Sequence, residues 1–280
     1  MPRIKKERLL SLSLLVLGLI SLAFSVAYTF YILAFIGLGL TFWGALLLYI
    51  TTEKYVKQAL LDSSIVSALS NLNQILTELR YKGGALYLPP KYFKDSETVK
   101  VYLPKFNSTE LPRPEDIQQQ EEEVFLNNPE AALLIPPGLA LSKLFEKRLG
   151  TSFTKVDLEY LQKNLPKLFI EDLEIVEDLD IEIENDEVAE KLTESSAIPQ
   201  KRKSVIRVKI SNSVYNDLFK GVERLPHVRR MIGCPISSAI ACAIAKASAN
   251  PVIIEKIQAS EDGKTNEAYY GIVEKAAEDA

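Results

Sequence analysis

This 280-residue chain has a single histidine and only two cysteines. One imidazole excludes any multi-histidine metal centre, and it leaves His227 as the one candidate base for a Ser–His or Cys–His pair. Two cysteines do not make a disulfide framework. Cys234 and Cys242 stand eight residues apart, about 12 Å along a helix at ~1.5 Å per residue. They can neither bridge within one helix nor act as a CxxC ligand pair, so no zinc site follows. Charge is missing altogether from one stretch. Leu9 to Ile50 runs for 42 residues without Asp, Glu, Lys, Arg or His.

That uncharged stretch is the strongest feature present. As one helix it would be about 63 Å long, whereas a bilayer core is about 30 Å thick and takes about 20 residues. Two spans with a tight turn fit. The turn is expected near Ser25 to Tyr31, with Tyr28 and Tyr31 at headgroup level. Trp43, Tyr49 and Tyr55 belong to the second span and its exit. Arg3, Lys5, Lys6 and Arg8 precede the first span against Glu7 alone, and Lys54 and Lys57 follow the second. The turn has no positive charge, so the bias of Lys and Arg puts both ends in the cytoplasm. The expectation is a multi-pass protein of the cell membrane with both termini and residues 53–280 cytoplasmic. A cleaved signal peptide is the rival, given the basic start and the small residues around Ser21 to Ala27. The apolar run, however, continues well past any such cleavage point.

The remainder is acidic. Four of the 33 Lys and Arg and one of the 37 Asp and Glu lie in the first 52 residues, which leaves a formal charge of −7 beyond them. An excess of carboxylates argues against nucleic acid, which needs clustered Lys and Arg against phosphates. It also predicts repulsion from an anionic inner leaflet, the basic N-terminal tip excepted. Two cysteines fit a reducing compartment.

The chain divides into residues 1–8, a basic cytoplasmic N-terminus; 9–50, two transmembrane helices; 53–82, an amphipathic linker helix; and 83–275, a cytosolic domain. In the linker, Ile65, Leu69, Leu72, Leu76 and Leu79 recur at steps of four and three. This stripe either packs on its own domain or forms a parallel homodimer seam through residues 61–79. The arms ALYLPPKYF and TVKVYLP each contain Leu-Pro and are expected to form an edge hairpin. Asn107 to Pro129, with its QQQEEE run, is expected to be a solvated or partly disordered loop. A strand or loop arm, AALLIPPG, then leads into helix LALSKLFEKRLG and a second helix stopped near Pro166. Leu179, Ile181 and Ile183 alternate with Asp178, Asp180, Glu182 and Glu184, the pattern of a strand with one wet face within Glu171 to Asp186. Its expected partner is KSVIRVKIS, which sets Arg207 and Lys209 against the acidic row. A helix around Val214 to Val222, a small-residue helix, strand PVIIEKIQAS, a turn and strand NEAYYGIVE complete an α+β domain.

Few residues suggest chemistry. Cys234, in Gly-Cys-Pro at the start of the small-residue helix, gains thiolate character if the helix N-terminus acts on it. The alternative is a small buried residue where the chain turns into the helix. A Cys234–His227 dyad, or Ser237 or Ser238 as nucleophile, is the weaker possibility. The acidic row fails the calcium-loop pattern, since Ile183 and Ala189 occupy the Gly and twelfth positions. Gly263-Lys264-Thr265 fails the phosphate-loop pattern, since Gln258 stands where a glycine is required. Asn107-Ser108-Thr109 is a glycosylation sequon whose modification would contradict a cytoplasmic domain. The helix from Cys234 to Ala249 is narrow on nearly every side. It serves either as a central helix under a sheet or as one wall of a slot for an apolar ligand, with Cys234, Ser238 and Cys242 as lining candidates.

Together GGALYLPPKYF, VYLPK, LIPPG, GTSFTKVDLEYLQKNLPKLF and IGCPISSAIACAIAKAS resemble an uncharacterised archaeal membrane-protein family. The resemblance implies an N-terminal membrane hairpin and a cytosolic domain, with no known activity. The C-terminal order of helix, strand, turn and strand also resembles vinyl-reductase-like domains, which implies a hydrophobic ligand or a protein partner. The expected protein is a membrane-anchored, non-enzymatic α+β binding or assembly domain, with no catalytic residue, metal, cofactor or nucleic-acid partner. The alternatives are a hydrophobic-ligand or lipid module beside residues 234–249, and a thiol enzyme or redox sensor using Cys234.

Overall fold

The computed structural model of the chain describes residues 2–50, 58–81, 84–95, 97–106, 111–127, 130–184, 202–260, 262 and 264–273. The chain falls into two compact units, Met1–Leu60 and Leu61–Ala280.

The first unit is a pair of helices, α1 (Pro2–Tyr28) and α2 (Tyr31–Ile50). Thr29, at φ 55, and Phe30 reverse the chain within the expected turn. Most of the large apolar side chains point outward, Tyr31, Phe35 and Trp43 among them. A helix apolar all round suits lipid rather than water. The seam between the helices is made of small residues. Ser11, Gly18 and Ser25 on α1, and Gly37 and Gly44 on α2, are buried at seven-residue spacing. A Cβ on Gly18 would stand 2.6 Å from the Thr41 nitrogen, and one on Gly44 2.7 Å from the Leu15 nitrogen. Backbones this close are the usual packing of helices in lipid. The Ser25 hydroxyl donates to the Phe30 carbonyl (2.8 Å), and that of Ser21 to the Leu33 carbonyl (3.1 Å). Leu10–Tyr28 and Tyr31–Tyr49 are each long and apolar enough to cross a membrane. Pro226–Ser248 passes the same test of length and composition but is almost wholly buried within the second unit.

The second unit is built on one antiparallel sheet of eight strands in the order β3-β4-β2-β1-β7-β8-β6-β5. These are β1 (Leu86–Leu88), β2 (Lys100–Pro104), β3 (Phe125–Asn127), β4 (Glu130–Leu134), β5 (Asp178–Glu184), β6 (Arg202–Ser211), β7 (Val252–Ala259) and β8 (Thr265–Val273). The helices are α3 (Gln58–Glu78), α4 (Pro114–Gln119), α5 (Leu139–Leu149), α6 (Leu158–Lys167), α7 (Asn216–Glu223), α8 (Pro226–Met231) and α9 (Pro235–Ser248). The α+β class is as expected. Because strand side chains alternate, the sheet has two cores. Tyr87, Val101, Leu103, Val252 and Ile254 join the main core with α9. Their neighbours Leu86, Leu88, Tyr102 and Ile253 form a smaller one with Tyr92, Phe93 and Ile117 of α4.

Three expectations are corrected. The β1–β2 hairpin is interior rather than an edge, because β2 also pairs with β4 and β1 with β7. Pro89 and Pro90 follow β1, and Pro104 ends β2, so the prolines fall outside the middle of the ladder. Within the supposed loop at Asn107 to Pro129, α4 begins with Pro114 in its first turn and buries Ile117, and β3 follows. Pro166 does not stop α6. It lies inside the helix, which runs on into a wider π turn, Leu168–Asp172, burying Leu168 and Phe169. The sequon residues 107–109 and the turn residues 261 and 263 lie outside the described residues.

At the acidic edge, Asp180 pairs with Lys209 and Glu182 with Arg207, as expected. Arg207 also meets Glu184 (3.0 Å) and Glu267 (3.5 Å). The amide of Gln162 on α6 donates to the Ile181 carbonyl at 2.8 Å, which blunts the open side of β5. The stripe of α3 is taken up by its own domain. Leu69 and Leu76 are in the main core, with Ile65 and Leu72 against it. The Asn73 side-chain oxygen accepts the backbone N–H groups of His227 (3.0 Å) and Val228 (3.3 Å), capping α8. Ile75 and Leu79 are left outward.

Candidate functional site

The chain turns into α9 through Gly233, whose φ of 75 a glycine adopts without strain. A Cβ there would come within 3.0 Å of Ile254 Cδ1. Cys234 is then the N-cap and Pro235 opens the helix. The Cys234 sulfur accepts the Ser237 N–H at 3.4 Å and lies 3.2 Å from the Ser237 hydroxyl. It does for this helix what a serine oxygen commonly does. Every residue from Pro235 through Lys246 is buried.

What packs so closely against the small side chains is the chain's own backbone. A Cβ on Gly138, just ahead of α5, would stand 2.0 Å from the Ala239 nitrogen and 2.5 Å from the Pro235 oxygen. The Gly138 N–H donates to the Ser238 hydroxyl at 3.1 Å. The Tyr87 hydroxyl donates to the Ile232 carbonyl (2.5 Å), and that of Tyr270 to the Ser237 carbonyl (3.2 Å). The buried polar groups around the first half of α9 are therefore partnered within the fold, as burial requires.

Cys234, Ser238, Cys242 and Lys246 follow one another at four-residue spacing and so lie along one ridge of α9. At its far end, the fully buried Lys246 ammonium contacts Glu146 Oε2 at 2.9 Å and Oε1 at 3.1 Å, with Glu97 at 3.7 Å. Glu146 also accepts the Phe153 N–H (2.8 Å) and the Ser152 hydroxyl (3.1 Å). This hub was missed in the sequence. Its one local signal is a lysine in a helix otherwise free of charge, and its partner is 100 residues away.

Burial pushes the Cys234 and Cys242 thiols up from their ordinary range, and the Tyr87 and Tyr270 hydroxyls likewise. At Cys234 the hydrogen bonds from Ser237 and from the helix N-terminus act downward, but desolvation outweighs them. Of the two readings of Cys234, the structure describes the small buried residue at the turn into the helix, and Cys242 is buried as well. Among the described residues no hydrogen bond joins the His227 imidazole to Cys234, so the dyad does not form. A recess bordered by Phe219, Val222, Arg229, Cys234, Ser237 and Asn266 has a free volume of about 10 Å³, one water's worth. Small-molecule pockets are commonly ~300 Å³ or more. Its lining includes neither Ser238 nor Cys242. No group of three or more metal-ligating side chains is placed to hold a metal among the described residues.

The model of a family described as a domain of unknown function, DUF7982, matches residues 2–267. The chain belongs to that family. The match takes in both the apolar helix pair and nearly all of the sheet domain. No curated protein and no solved structure matches. The uncharacterised family is thus shown, whereas neither an archaeal origin nor a likeness to vinyl-reductase-like domains is supported.

Proposed function

We propose that the protein is a membrane-anchored binding or assembly module, held by a two-span hairpin with both termini and the sheet domain in the cytoplasm. One observation carries the reading. The residues with most claim to chemistry, Cys234, Ser238 and Cys242, are buried, with Cys234 and Ser238 bonded inside the fold. Surface and anchorage then remain as the means of acting. The Lys and Arg flanking the apolar helices support the orientation. A homodimer through residues 61–79 would use the outward Ile75 and Leu79, since Leu69 and Leu76 are already in the core.

Topology is tested with cysteines introduced at Thr29, in the turn, and at Lys94, on the domain surface. A membrane-impermeant maleimide should label Thr29→Cys in intact cells and Lys94→Cys only after lysis. The reverse pattern overturns the orientation, and full release of the protein by alkaline carbonate overturns the anchor.

A further inference from the structure

We propose that the outward face of α5 docks on anionic phospholipid headgroups. The inference rests on the membrane-anchored reading and adds to it a lipid-binding surface. The domain beyond residue 52 carries a formal −7, yet the charged side chains that α5 exposes to solvent are all cations. Ala140, Lys143, Leu144, Lys147 and Arg148 are exposed, and Lys155 shortly after the helix is exposed too. The sole carboxylate of α5, Glu146, is turned inward onto Lys246. Lys143 has the Asp95 carboxylate in its neighbourhood, whereas Lys147, Arg148 and Lys155 have no ion-pair partner among the described residues.

Some cations of the fold do have carboxylate partners. Lys105 meets Glu130, Arg207 meets three glutamates, and Lys246 meets Glu146. On the outward face of α5, by contrast, Lys143, Lys147 and Arg148 gather around an exposed leucine. The helix dipole accounts for Lys147 and Arg148 in the last turn, but not for Lys143. Nor does it account for the exposed apolar side chains of this segment, Leu144 at 39% exposure among the cations and Ile135, just ahead of the helix, at 73%. Cations flanking an exposed apolar strip are the composition of an interfacial helix, whose apolar residues enter the headgroup layer while Lys and Arg hold phosphates. The bilayer is the favoured occupant because the chain itself carries two helices long enough to cross one. Only residues 51–57 separate them from α3, so the local concentration of headgroups is high.

The test uses the full chain in lipid nanodiscs, of phosphatidylcholine alone or with a third phosphatidylglycerol. A fluorescent maleimide is placed at Leu144→Cys, with Asp180→Cys on the acidic edge as control; native Cys234 and Cys242 are buried and stay unlabelled. Quenching by headgroup spin-labelled lipid is then read. Quenching is expected at position 144 in the anionic discs, reversed at high ionic strength and absent at position 180. The bound-to-free ratio should fall about fivefold for each of Lys143→Gln, Lys147→Gln and Arg148→Gln, the worth of one surface cation near an anionic leaflet. Equal quenching in both lipids, equal quenching at both positions, or no response when Lys143→Gln, Lys147→Gln and Arg148→Gln are combined overturns the proposal, and in those cases an acidic protein is the better partner. A chain that co-elutes with the discs without quenching at position 144 overturns this inference alone. A chain that does not co-elute with lipid overturns the anchor and the inference together.

Discussion

Replacing Gly138 by alanine adds one carbon where the fold has no room for it. The φ of −90 and ψ of −2 at this position suit any L-residue, so the penalty comes from contact and not from backbone conformation. The new Cβ would lie 2.0 Å from the Ala239 nitrogen and 2.5 Å from both the Pro235 oxygen and the Ser238 carbonyl carbon. All three are backbone atoms of α9, which cannot swing aside as a side-chain tip could. Relief requires α5 to retreat by more than about 1 Å, a small-to-large change of the kind that costs roughly 1–3 kcal/mol. Retreat also breaks the bond from the Gly138 N–H to Ser238, for about 1 kcal/mol more. A total near 3 kcal/mol corresponds to more than a hundredfold in equilibrium, at about 1.4 kcal/mol per decade. The readout is the rate at which a thiol reagent reaches Cys242 in the full chain in detergent, normalised to the rate in urea. When closing outpaces labelling, this ratio reports the free energy of opening. Gly150→Ala is the comparison. Nothing stands within 4 Å of its Cβ, and its φ of 67 alone is unfavourable, worth about 1–2 kcal/mol. Gly138→Ala should therefore accelerate labelling more than Gly150→Ala. The opposite order, or a change at Gly138→Ala below threefold, would show that the close approach of α5 to α9 does not exist.

Lys246→Met leaves Glu146 without its buried cation and should destabilise by about 3–5 kcal/mol. The double variant Lys246→Met, Glu146→Gln should recover part of the loss in the urea midpoint, and no recovery would sink the pairing. Asn73→Ala strips the acceptor from two N–H groups of α8 and should cost about 1–2 kcal/mol, read as faster labelling of Cys234; Asn73→Asp should retain most of the protection. Alkali gives a third check. The folded pKa values of Cys234 and Cys242 are raised, so below the ordinary thiol range near 9 both states hold these protons and stability does not depend on them. As pH rises past that value the unfolded chain loses protons that the folded chain keeps. Stability then falls by about 1.4 kcal/mol per pH unit for each such thiol. Tyr92 and Tyr102, each pushed up to about 12 by burial, steepen the fall beyond pH 10. A denaturation midpoint flat through that window refutes the burial of these groups.

The two faces of β5, its pairing with the basic strand, and the small-residue helix were legible because each is a local pattern with a short period. The 4-3 stripe of α3 was equally legible, but its use was not, since a stripe is the same whether it meets another chain or its own sheet. Leu69 and Leu76 of the stripe lie in the core, and Asn73 caps a helix more than 150 residues further along the chain. Pro166 misled for a related reason. A proline disfavours the helical turn that precedes it, by losing an N–H donor and crowding the carbonyl four residues back, yet the helix runs through it and buries Leu168 and Phe169 in the core.

By itself the sequence determined the helix pair, because 42 uncharged residues are about twice what one crossing of a bilayer core takes. It also determined the α+β class, through the alternation of periods two and 3.6 along the domain. Only the tertiary structure decided the fate of Cys234. A helix N-terminus draws a thiol toward ionisation and burial draws it away, and which prevails depends on what lies over the sulfur, contributed by residues far along the chain. The same holds for Gly138, whose lack of a side chain acquires meaning only when α9 lies against it.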